Sequence, residues 1–291
     1  MQFKFPSLSS SRRPPRIPIL SYHGLHASGN GYADNDHVAL EEDLRLIKKL
    51  GFRIAALTDI ARYVRGEGAS FLDRDKCVGL SFDDGTDRDY LDMDHPVLGR
   101  IKSFHTILKD SGAGGERAWP QPTGVSFVIA SPEARAVLDR TCIAGRNDWR
   151  DSWWSEAAAG GVLAIGNHSW DHTHPTLDVV AQREQRKGTF HGIDNLEDAD
   201  AQIGRSEEYI KSRTGGRSAA LFAYPYGDAP DYLVNDYFPR FPERHRQTAA
   251  FTTAGDYAAK GGNPWTIPRF MCGAHWKSMD ELARILAGSK H

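Results

Sequence analysis

The sequence predicts an α/β fold in which parallel strands close into a barrel. Short apolar runs alternate with amphipathic helical segments, and the polar residues best suited to chemistry directly follow two of those runs. Alternating strands and helices are typical of a parallel barrel or sheet, in which ligands bind at the carboxyl ends of the strands. A length of 291 residues suits one barrel domain. We expect residues 1–16 to be a flexible lead-in and residues 17–291 to form that domain.

The individual elements follow from hydrophobic periodicity. One helical face carries Leu40, Leu44, Ile47 and Leu50, and Gly51 ends that helix. Further helices are expected over residues 97–108, around 153–159 and over 198–211. The predicted strands are short apolar runs bounded by turn residues, at positions 52–57, 77–82, 124–129, 162–166, 220–223, 249–252 and 266–271.

Composition favours an ordinary globular protein that acts on neither nucleic acid nor membranes. The formal net charge is -2, so no basic surface is indicated, and no run approaches the ~20 apolar residues of a membrane helix. The three cysteines, Cys77, Cys142 and Cys272, cannot form a complete disulfide framework. The first residues lack the apolar run of a signal peptide, which favours a cytoplasmic location.

Two carboxylates follow the predicted strand 77–82. Asp83 and Asp84 are adjacent, so their side chains point in different directions, and Gly85 opens the loop behind them. One carboxylate could therefore bind a metal ion while the other faces a substrate. A plain Asp-Asp-Gly turn at a strand end would have the same sequence.

Two imidazoles follow the predicted strand 162–166. His168 and His172 are four residues apart, a spacing that would place both side chains on one face of a helical turn. The alternative is a pair of solvated loop histidines, because His174 lies close by. Together with Asp83 and Asp84, however, the pair supplies the ligands for a divalent ion that could activate water.

These motifs resemble those of the polysaccharide deacetylases of carbohydrate esterase family four, the nodulation-deacetylase homology group. The resemblance spans roughly residues 18–269 and consists of ordered pieces. They are residues 17–23 (opening strand), Ser81-Phe82-Asp83-Asp84-Gly85 (first motif), His168-Ser169-Trp170-Asp171-His172 (second), Phe222-Ala223-Tyr224-Pro225-Tyr226-Gly227 (third) and Ile267-Pro268-Arg269 (closing segment). The resemblance implies a distorted seven-stranded (β/α) barrel.

The resemblance also implies a role for each motif residue. Asp84, His168 and His172 would hold one divalent metal ion, most simply zinc, with cobalt, manganese and nickel as alternatives. Asp83 would be the general base that deprotonates the attacking water. The backbone N–H of Tyr226 would stabilise the oxyanion of the tetrahedral intermediate.

The sequence departs from the family pattern at two positions. Most members carry an arginine that orients the base aspartate where this chain has Ala223, and we expect Arg269 to pair with Asp83 instead. The usual Leu-x-His segment that supplies the general acid is absent. His275 and His23 are the candidates for that role, and either could be an ordinary loop histidine.

Aromatic side chains are expected to contact a sugar, because their faces cover the apolar C–H patches of a pyranose ring. We expect Trp170 and Tyr226 near the substrate, together with His23, whereas Trp153 and Trp154 suit core packing. The long segment 86–122 contains Asp87 and several other acidic residues. It favours a solvated loop with a surface helix over a second cation site.

The predicted function is metal-dependent removal of acetyl groups from an acetylated, mainly N-acetylated, sugar or polysaccharide. One alternative is hydrolysis of another C–N bond, as in relatives of the family that open small cyclic amides. The other is a carbohydrate-binding protein without catalytic activity, suggested by the missing arginine and histidine. The substrate would be the only partner that the sequence indicates.

Elemental analysis would test the predicted metal site. After dialysis against dilute divalent metals, we expect about one transition-metal ion per chain, because three protein ligands converge on one position. The double variant Asp84→Ala/His168→Ala should bind none. A wild-type protein without metal would contradict the hydrolase mechanism and favour the carbohydrate-binding alternative.

Overall fold

A curved parallel sheet forms the centre of the computed structural model, which describes residues 15–68, 70–112 and 123–289. Its strands, with the small ribbons around them, are β1 (Arg16–Ile17), β2 (Ile19–His23), β3 (Arg53–Ile54), β4 (Cys77–Asp84), β5 (Met93–His95), β6 (Gly99–Ile101), β7 (Gly124–Val128), β8 (Leu163–Asn167), β9 (Ser218–Ala223), β10 (Ala249–Phe251), β11 (Ala258–Ala259) and β12 (Phe270–Met271).

The main path of the sheet has seven strands in the order β10-β9-β8-β7-β4-β2-β12, and every pair along it is parallel. Around this path the chain proceeds from β2 to β10, and β12 then returns to pair with β2. A single parallel bridge between Phe251 and Ile267 brings the two ends of the path together. The prediction of an α/β fold with a distorted seven-stranded barrel is therefore confirmed.

Helices cover the outside of the sheet. They are α1 (Asp36–Lys49), α2 (Leu57–Val64), α3 (Phe104–Gly112), α4 (Pro132–Cys142), α5 (Trp154–Gly160), α6 (Leu196–Ala199), α7 (Arg205–Thr214), α8 (Phe238–Arg240), α9 (Pro242–His245) and α10 (Met279–Gly288). The helix α1 buries Leu40, Leu44 and Ile47 of the predicted face, whereas Leu50 at its C-terminal cap is 37% exposed. Asn35 caps the N-terminus of α1, since its side chain accepts the His37 N–H. Within the described ranges, no helix is long and apolar enough to cross a membrane.

Several predicted boundaries differ from the structure. The predicted helix over 97–108 begins only at Phe104, because residues 93–101 form the antiparallel ribbon β5–β6. Pro96 and Gly99 make the turn of this ribbon, and Val97 at its tip is 81% exposed. Of the predicted lead-in, residues 1–14 lie outside the described residues, whereas Arg16 belongs to β1 and pairs with Ala259.

The acidic segment after β4 pairs its carboxylates one by one. Asp87 binds Arg150, whose Nε lies 2.6 Å from Asp87 Oδ2. Asp92 accepts the Ser103 backbone N–H at 2.9 Å. Asp94 lies 3.3 Å from Arg100. Each of these three carboxylates therefore has a partner of its own, and among the described residues of this segment they do not converge on a second cation position.

A buried ion pair lies inside the barrel. Arg269 is 0% exposed, and its two terminal nitrogens donate to Asp83 Oδ1 at 2.6 Å and Oδ2 at 2.8 Å. The same guanidinium donates to the hydroxyls of Ser81 at 3.0 Å and Ser21 at 3.3 Å, and its Nε donates to the Thr252 carbonyl at 3.3 Å. Arg269 therefore binds three other strands or strand ends of the barrel, those of β2, β4 and β10.

This pair controls the charge of Asp83. Burial by itself raises the pKa of a carboxyl group, but the Arg269 guanidinium, the neighbouring His168 and the Arg269 hydrogen bonds outweigh it and hold the Asp83 pKa below its ordinary value. Asp83 is therefore a carboxylate at neutral pH despite being almost completely buried.

Replacing Arg269 tests the energetic importance of this pair. We expect Arg269→Ala to lower the free energy of unfolding at pH 7 by about 3–5 kcal/mol, because Asp83 is left as a buried charge without a partner. In the wild type, the depressed pKa contributes stability above the unfolded pKa of about 3.9 and loses it as the pH falls through the folded value. In the variant, burial would raise the Asp83 pKa, so protonation at acidic pH relieves the penalty. The difference between the two proteins should therefore shrink as the pH falls.

Urea unfolding at pH 7 and at acidic pH measures this difference. Arg284→Ala is the control, since that arginine is largely exposed and should change stability by less than ~0.5 kcal/mol. A loss for Arg269→Ala that is the same at both pH values would contradict the explanation.

Candidate functional site

Three potential metal ligands converge at the carboxyl edge of the sheet. Asp84 ends β4, and His168 and His172 follow β8. One ligand atom from each of them lies within 4.8 Å of the others. The Nε2 atoms of His168 and His172 are 3.7 Å and 3.9 Å from Asp84 Oδ1. The predicted grouping of these residues is therefore present in the structure.

The backbone that presents these ligands is not helical, so the predicted helical turn is wrong. Residues 168–172 form a loop in which Ser169 and His172 have positive φ angles of 71° and 62°. Asp84 has a φ of 77°. Non-glycine residues rarely adopt this left-handed region, and such strain is concentrated at functional sites. The two imidazoles meet because the loop folds back on itself.

Gly85 allows this geometry at the end of β4. Its φ is +71°, and a Cβ atom there would lie 2.5 Å from Val128 Cγ1 and 2.7 Å from Val128 Cα on the neighbouring strand. Any side chain would therefore displace β7 from β4. The glycine of the first motif lets Asp84 turn into the site while the two strands stay packed.

Hydrogen bonds from the opposite ring nitrogen orient His168. Its Nδ1 lies 2.8 Å from the Ala223 carbonyl, and because a carbonyl only accepts, this nitrogen carries the proton. The unprotonated Nε2 is then directed towards Asp84 and His172. This is the arrangement in which protein imidazoles bind metal ions.

His172 is held in the neutral form that a metal ion requires. Burial is the largest cause that places its pKa well below the ordinary value, and the neighbouring His168 and His174 add to it. The two imidazoles and the carboxyl group of Asp84 form a donor set that fits a divalent transition metal. A set of two nitrogens and one oxygen suits zinc, cobalt, manganese or nickel.

A cavity of about 210 Å³ surrounds this group. It is lined by residues from six different strand ends, namely His23, Asp83, Asp84, His168, His172, Tyr224, Tyr226, Gly227, Thr253 and Met271. Of the two candidates for the general acid, only His23 lines it. Arg269 lies behind Asp83, inside the barrel.

The third motif forms one wall of the cavity. Tyr226 is 41% exposed, and its ring centroid lies 4.5 Å from that of His172. Its φ of 60° places it in the left-handed region. Among the residues that the structure describes, none accepts a hydrogen bond from the Tyr226 backbone N–H. This N–H group is therefore free to bind an oxyanion in the cavity.

Gly227 is required for this turn. With a φ of +75°, a Cβ atom at this position would lie 2.0 Å from Thr253 Oγ1. The glycine lets the loop after β9 pack directly on the end of β10, which places Tyr226 over the cavity.

The structure does not bring two predicted residues into the cavity. His275 is exposed, and its Nδ1 accepts the Met271 backbone N–H at 2.8 Å. Trp170 points away from His168 and His172. Its ring lies beneath the guanidinium of Arg205, whose Cζ is 3.6 Å from the ring centroid, and it lines a separate depression of about 400 Å³.

The sequence did not predict that Thr253, Met271 and Tyr224 line the cavity. Each follows a predicted strand or ends one, so the rule that chemistry lies at the carboxyl ends of the strands applies to them too. None of them has a side chain whose chemistry singles it out in the sequence. Their position beside the ligands became visible only once the strand order was known.

A family model described as polysaccharide deacetylase matches residues 140–237. The match includes the second and third motifs and ends before the closing segment, and it does not reach the Asp83-Asp84 motif. No curated protein matches the chain.

Solved structures share the fold over nearly the whole chain. IcaB from Ammonifex degensii is 18% identical with a TM-score of 0.63, and the alignment covers 96% of this chain and 99% of that one. The Streptococcus pyogenes deacetylase PplD, solved with acetate, is 15% identical with a TM-score of 0.60 over 96% and 99%. The de-N-acetylase of Aggregatibacter actinomycetemcomitans is 17% identical with a TM-score of 0.59 over 92% and 99%. The family match over residues 140–237 and the shared fold confirm the resemblance to the polysaccharide deacetylases that the motifs predicted.

Proposed function

We propose that this protein is a divalent-metal-dependent deacetylase that removes acetyl groups from an N-acetylated sugar or polysaccharide. The observation that carries the proposal is the arrangement at the carboxyl edge of the barrel. Three side chains that could hold a metal ion, a separately held carboxylate and the backbone N–H of Tyr226 lie around one small cavity. This is the equipment that hydrolysis of an amide needs.

Asp84, His168 and His172 would hold the metal ion, and zinc is the ion that we propose for this donor set. When bound there, a divalent ion polarises the acetyl carbonyl and lowers the pKa of water. The protein's own contribution is to orient His168 through the Ala223 carbonyl and to lower the pKa of His172 by burial, so that the ligands are ready for the ion.

Asp83 would take the proton of the attacking water on a carboxylate oxygen. Both oxygens accept a hydrogen bond from Arg269, which fixes the plane of the carboxylate and leaves lone pairs directed to the cavity. The low pKa of Asp83 keeps it unprotonated and available as the acceptor. Arg269 would thus replace the arginine that most family members carry at the position of Ala223.

The Tyr226 backbone N–H would donate to the oxyanion of the tetrahedral intermediate. A backbone N–H group held in place by the fold stabilises a developing negative charge more than a solvent molecule does, because it is already oriented. The exposed face of the Tyr226 ring would cover the apolar side of the sugar that carries the acetyl group.

His23 would protonate the leaving amine. It lies at the end of β2, where its register partner on β4 is Asp83, and its backbone N–H is held by Asp36 Oδ2 at 2.7 Å. It lines the cavity, whereas His275 is on the surface. A proton from an imidazolium would convert the amine into a neutral leaving group.

The two alternatives have less support. A carbohydrate-binding protein without activity was suggested by the missing arginine, but Arg269 supplies the same guanidinium to Asp83. Hydrolysis of a small cyclic amide would use the same residues, and only a substrate panel separates it from deacetylation.

Release of acetate tests the proposal. The metal-loaded protein should release acetate from N-acetylated oligosaccharides, and chelation should stop the reaction. Asp83→Asn should bind as much metal as the wild type and lose about 10²–10⁴-fold in rate, because the base is gone while the ligands remain. Asp94→Asn, an exposed aspartate remote from the cavity, is the control.

If the protein hydrolysed a cyclic amide and released no acetate from acetylated sugars, the proposed substrate would be wrong. If the protein bound acetylated sugars from a broad panel but showed no metal-dependent turnover of any of them, it would be a carbohydrate-binding protein and not an enzyme. Loss of metal in Asp83→Asn would show that the division between base and ligand is wrong.

The identity of the general acid can be tested by the leaving group. We expect His23→Gln to lose about 10²–10⁴-fold in amide hydrolysis and little in hydrolysis of an activated aryl acetate, whose leaving group needs no proton. His275→Gln should affect neither substrate. Equal losses on both substrates for His23→Gln would contradict its role in protonating the leaving amine. A loss in amide hydrolysis alone for His275→Gln would assign that role to His275.

A further inference from the structure

A buried glutamine forms two hydrogen bonds with the loop that carries His172. Gln202 is 0% exposed and lies in a π-helical segment, Asp200–Gly204, between α6 and α7. Its amide nitrogen donates to Asp171 Oδ1 at 2.7 Å, and its amide oxygen accepts the Asp171 backbone N–H at 3.4 Å. An amide offers a donor and an acceptor together, so Gln202 binds the side chain and the backbone of one residue.

Both oxygens of the Asp171 carboxylate accept hydrogen bonds in this arrangement. Besides Gln202, its Oδ1 accepts the Thr173 backbone N–H at 2.9 Å, and its Oδ2 accepts the Ala181 backbone N–H at 2.5 Å. Asp171 lies in the middle of the second motif but does not belong to the metal group. Its hydrogen bonds instead connect the helix, the bend at residues 171–173 and the following loop.

The bend that these bonds hold is strained. His172 and Thr173 have consecutive positive φ angles of 62° and 44°. Each such residue costs on the order of 1–3 kcal/mol and persists only where its surroundings enforce it. The enforcing bonds are those of Asp171 and the His172 backbone N–H, which donates to Ser169 Oγ at 2.9 Å.

The π-helical segment makes a second contact with the same loop. The Ile203 carbonyl accepts the Asn167 side chain at 3.1 Å, and Ser206 Oγ donates to Asn167 Oδ1 at 2.8 Å and to the Ser169 carbonyl at 3.1 Å. A π-helical turn is wider than an α-helical one and is often found at functional sites. Here it presents Gln202 and a backbone carbonyl to the two ends of the loop between the metal ligands.

We propose that Gln202 is a positioning residue for the metal centre. It holds the bend at His172, keeps the His172 Nε2 beside Asp84, and so sets the affinity for the metal without touching metal or substrate. The inference rests on the metal centre of the proposed function.

Metal affinity is the measurement that tests this role. We expect Gln202→Leu, which keeps the size but removes both hydrogen bonds, to weaken metal binding about 10- to 100-fold in competition with a chelator. Gln202→Glu is nearly isosteric and places a carboxylate against that of Asp171, so it should weaken binding at least as much. At saturating metal, kcat should recover towards the wild-type value, and KM for the sugar should stay unchanged.

Gln247→Leu is the matched control. Gln247 is also buried, and its amide also donates to a carboxylate and a carbonyl, those of Glu207 at 2.8 Å and His245 at 2.9 Å. Both leucine variants should lower the melting temperature of the metal-free protein, but only Gln202→Leu should change the metal Kd.

Three results would overturn the inference. One is an unchanged metal Kd in Gln202→Leu and in Gln202→Glu. Another is an equal loss of affinity in Gln247→Leu, which would make the effect one of general stability. A wild-type protein that binds no metal would overturn the proposed function as well, whereas tight metal binding by wild type and Gln202 variants alike would overturn only the role of Gln202.

Discussion

The buried ion pair between Arg269 and Asp83 is the interaction on which the rest of the site depends. Two charges inside a barrel are tolerated only when they neutralise each other and their remaining hydrogen-bonding groups are satisfied. Arg269 meets this requirement by binding Ser21 and Ser81, which are register partners on β2 and β4, as well as Asp83. The pair therefore joins the strand that closes the barrel to the strand that carries the first motif. Closure of the fold and the ionised state of Asp83 have the same physical origin.

The second constraint is backbone strain around the metal group. Asp84 and His172, two of the three proposed ligands, and Tyr226, which faces them, all have positive φ angles. None of them is a glycine, so each turn must be imposed by packing and hydrogen bonds nearby. Gly85 and Gly227 provide the close approach between neighbouring strand ends that makes these turns possible. The result is a small cavity in which several polar groups are directed to one point.

The strand order also explains how Arg269 can pair with Asp83 in a chain that has Ala223 where most family members carry an arginine. Where most family members carry an arginine, this chain has Ala223, whose carbonyl accepts the His168 side chain. The guanidinium arrives from the opposite end of the strand path, on the segment before β12. Because β12 lies next to β2 and only one strand separates it from β4, Arg269 reaches Asp83 from inside the barrel. The guanidinium that stabilises the Asp83 carboxylate therefore comes here from the segment before β12, and not from position 223 at the end of β9.

The sequence by itself determined the fold class, most strand positions, the grouping of Asp84, His168 and His172, and the pairing partner of Asp83, because apolar periodicity and strand-end polar residues are local signals. It did not determine the loop geometry of His172, the removal of Trp170 and His275 from the cavity, or the participation of Thr253 and Met271. The sequence also predicted a helix at residues 97–101, which belong to the ribbon β5–β6 and its turn. These features depend on which strands are neighbours and on strained bends that distant residues such as Gln202 enforce, and only the tertiary structure decides such contacts.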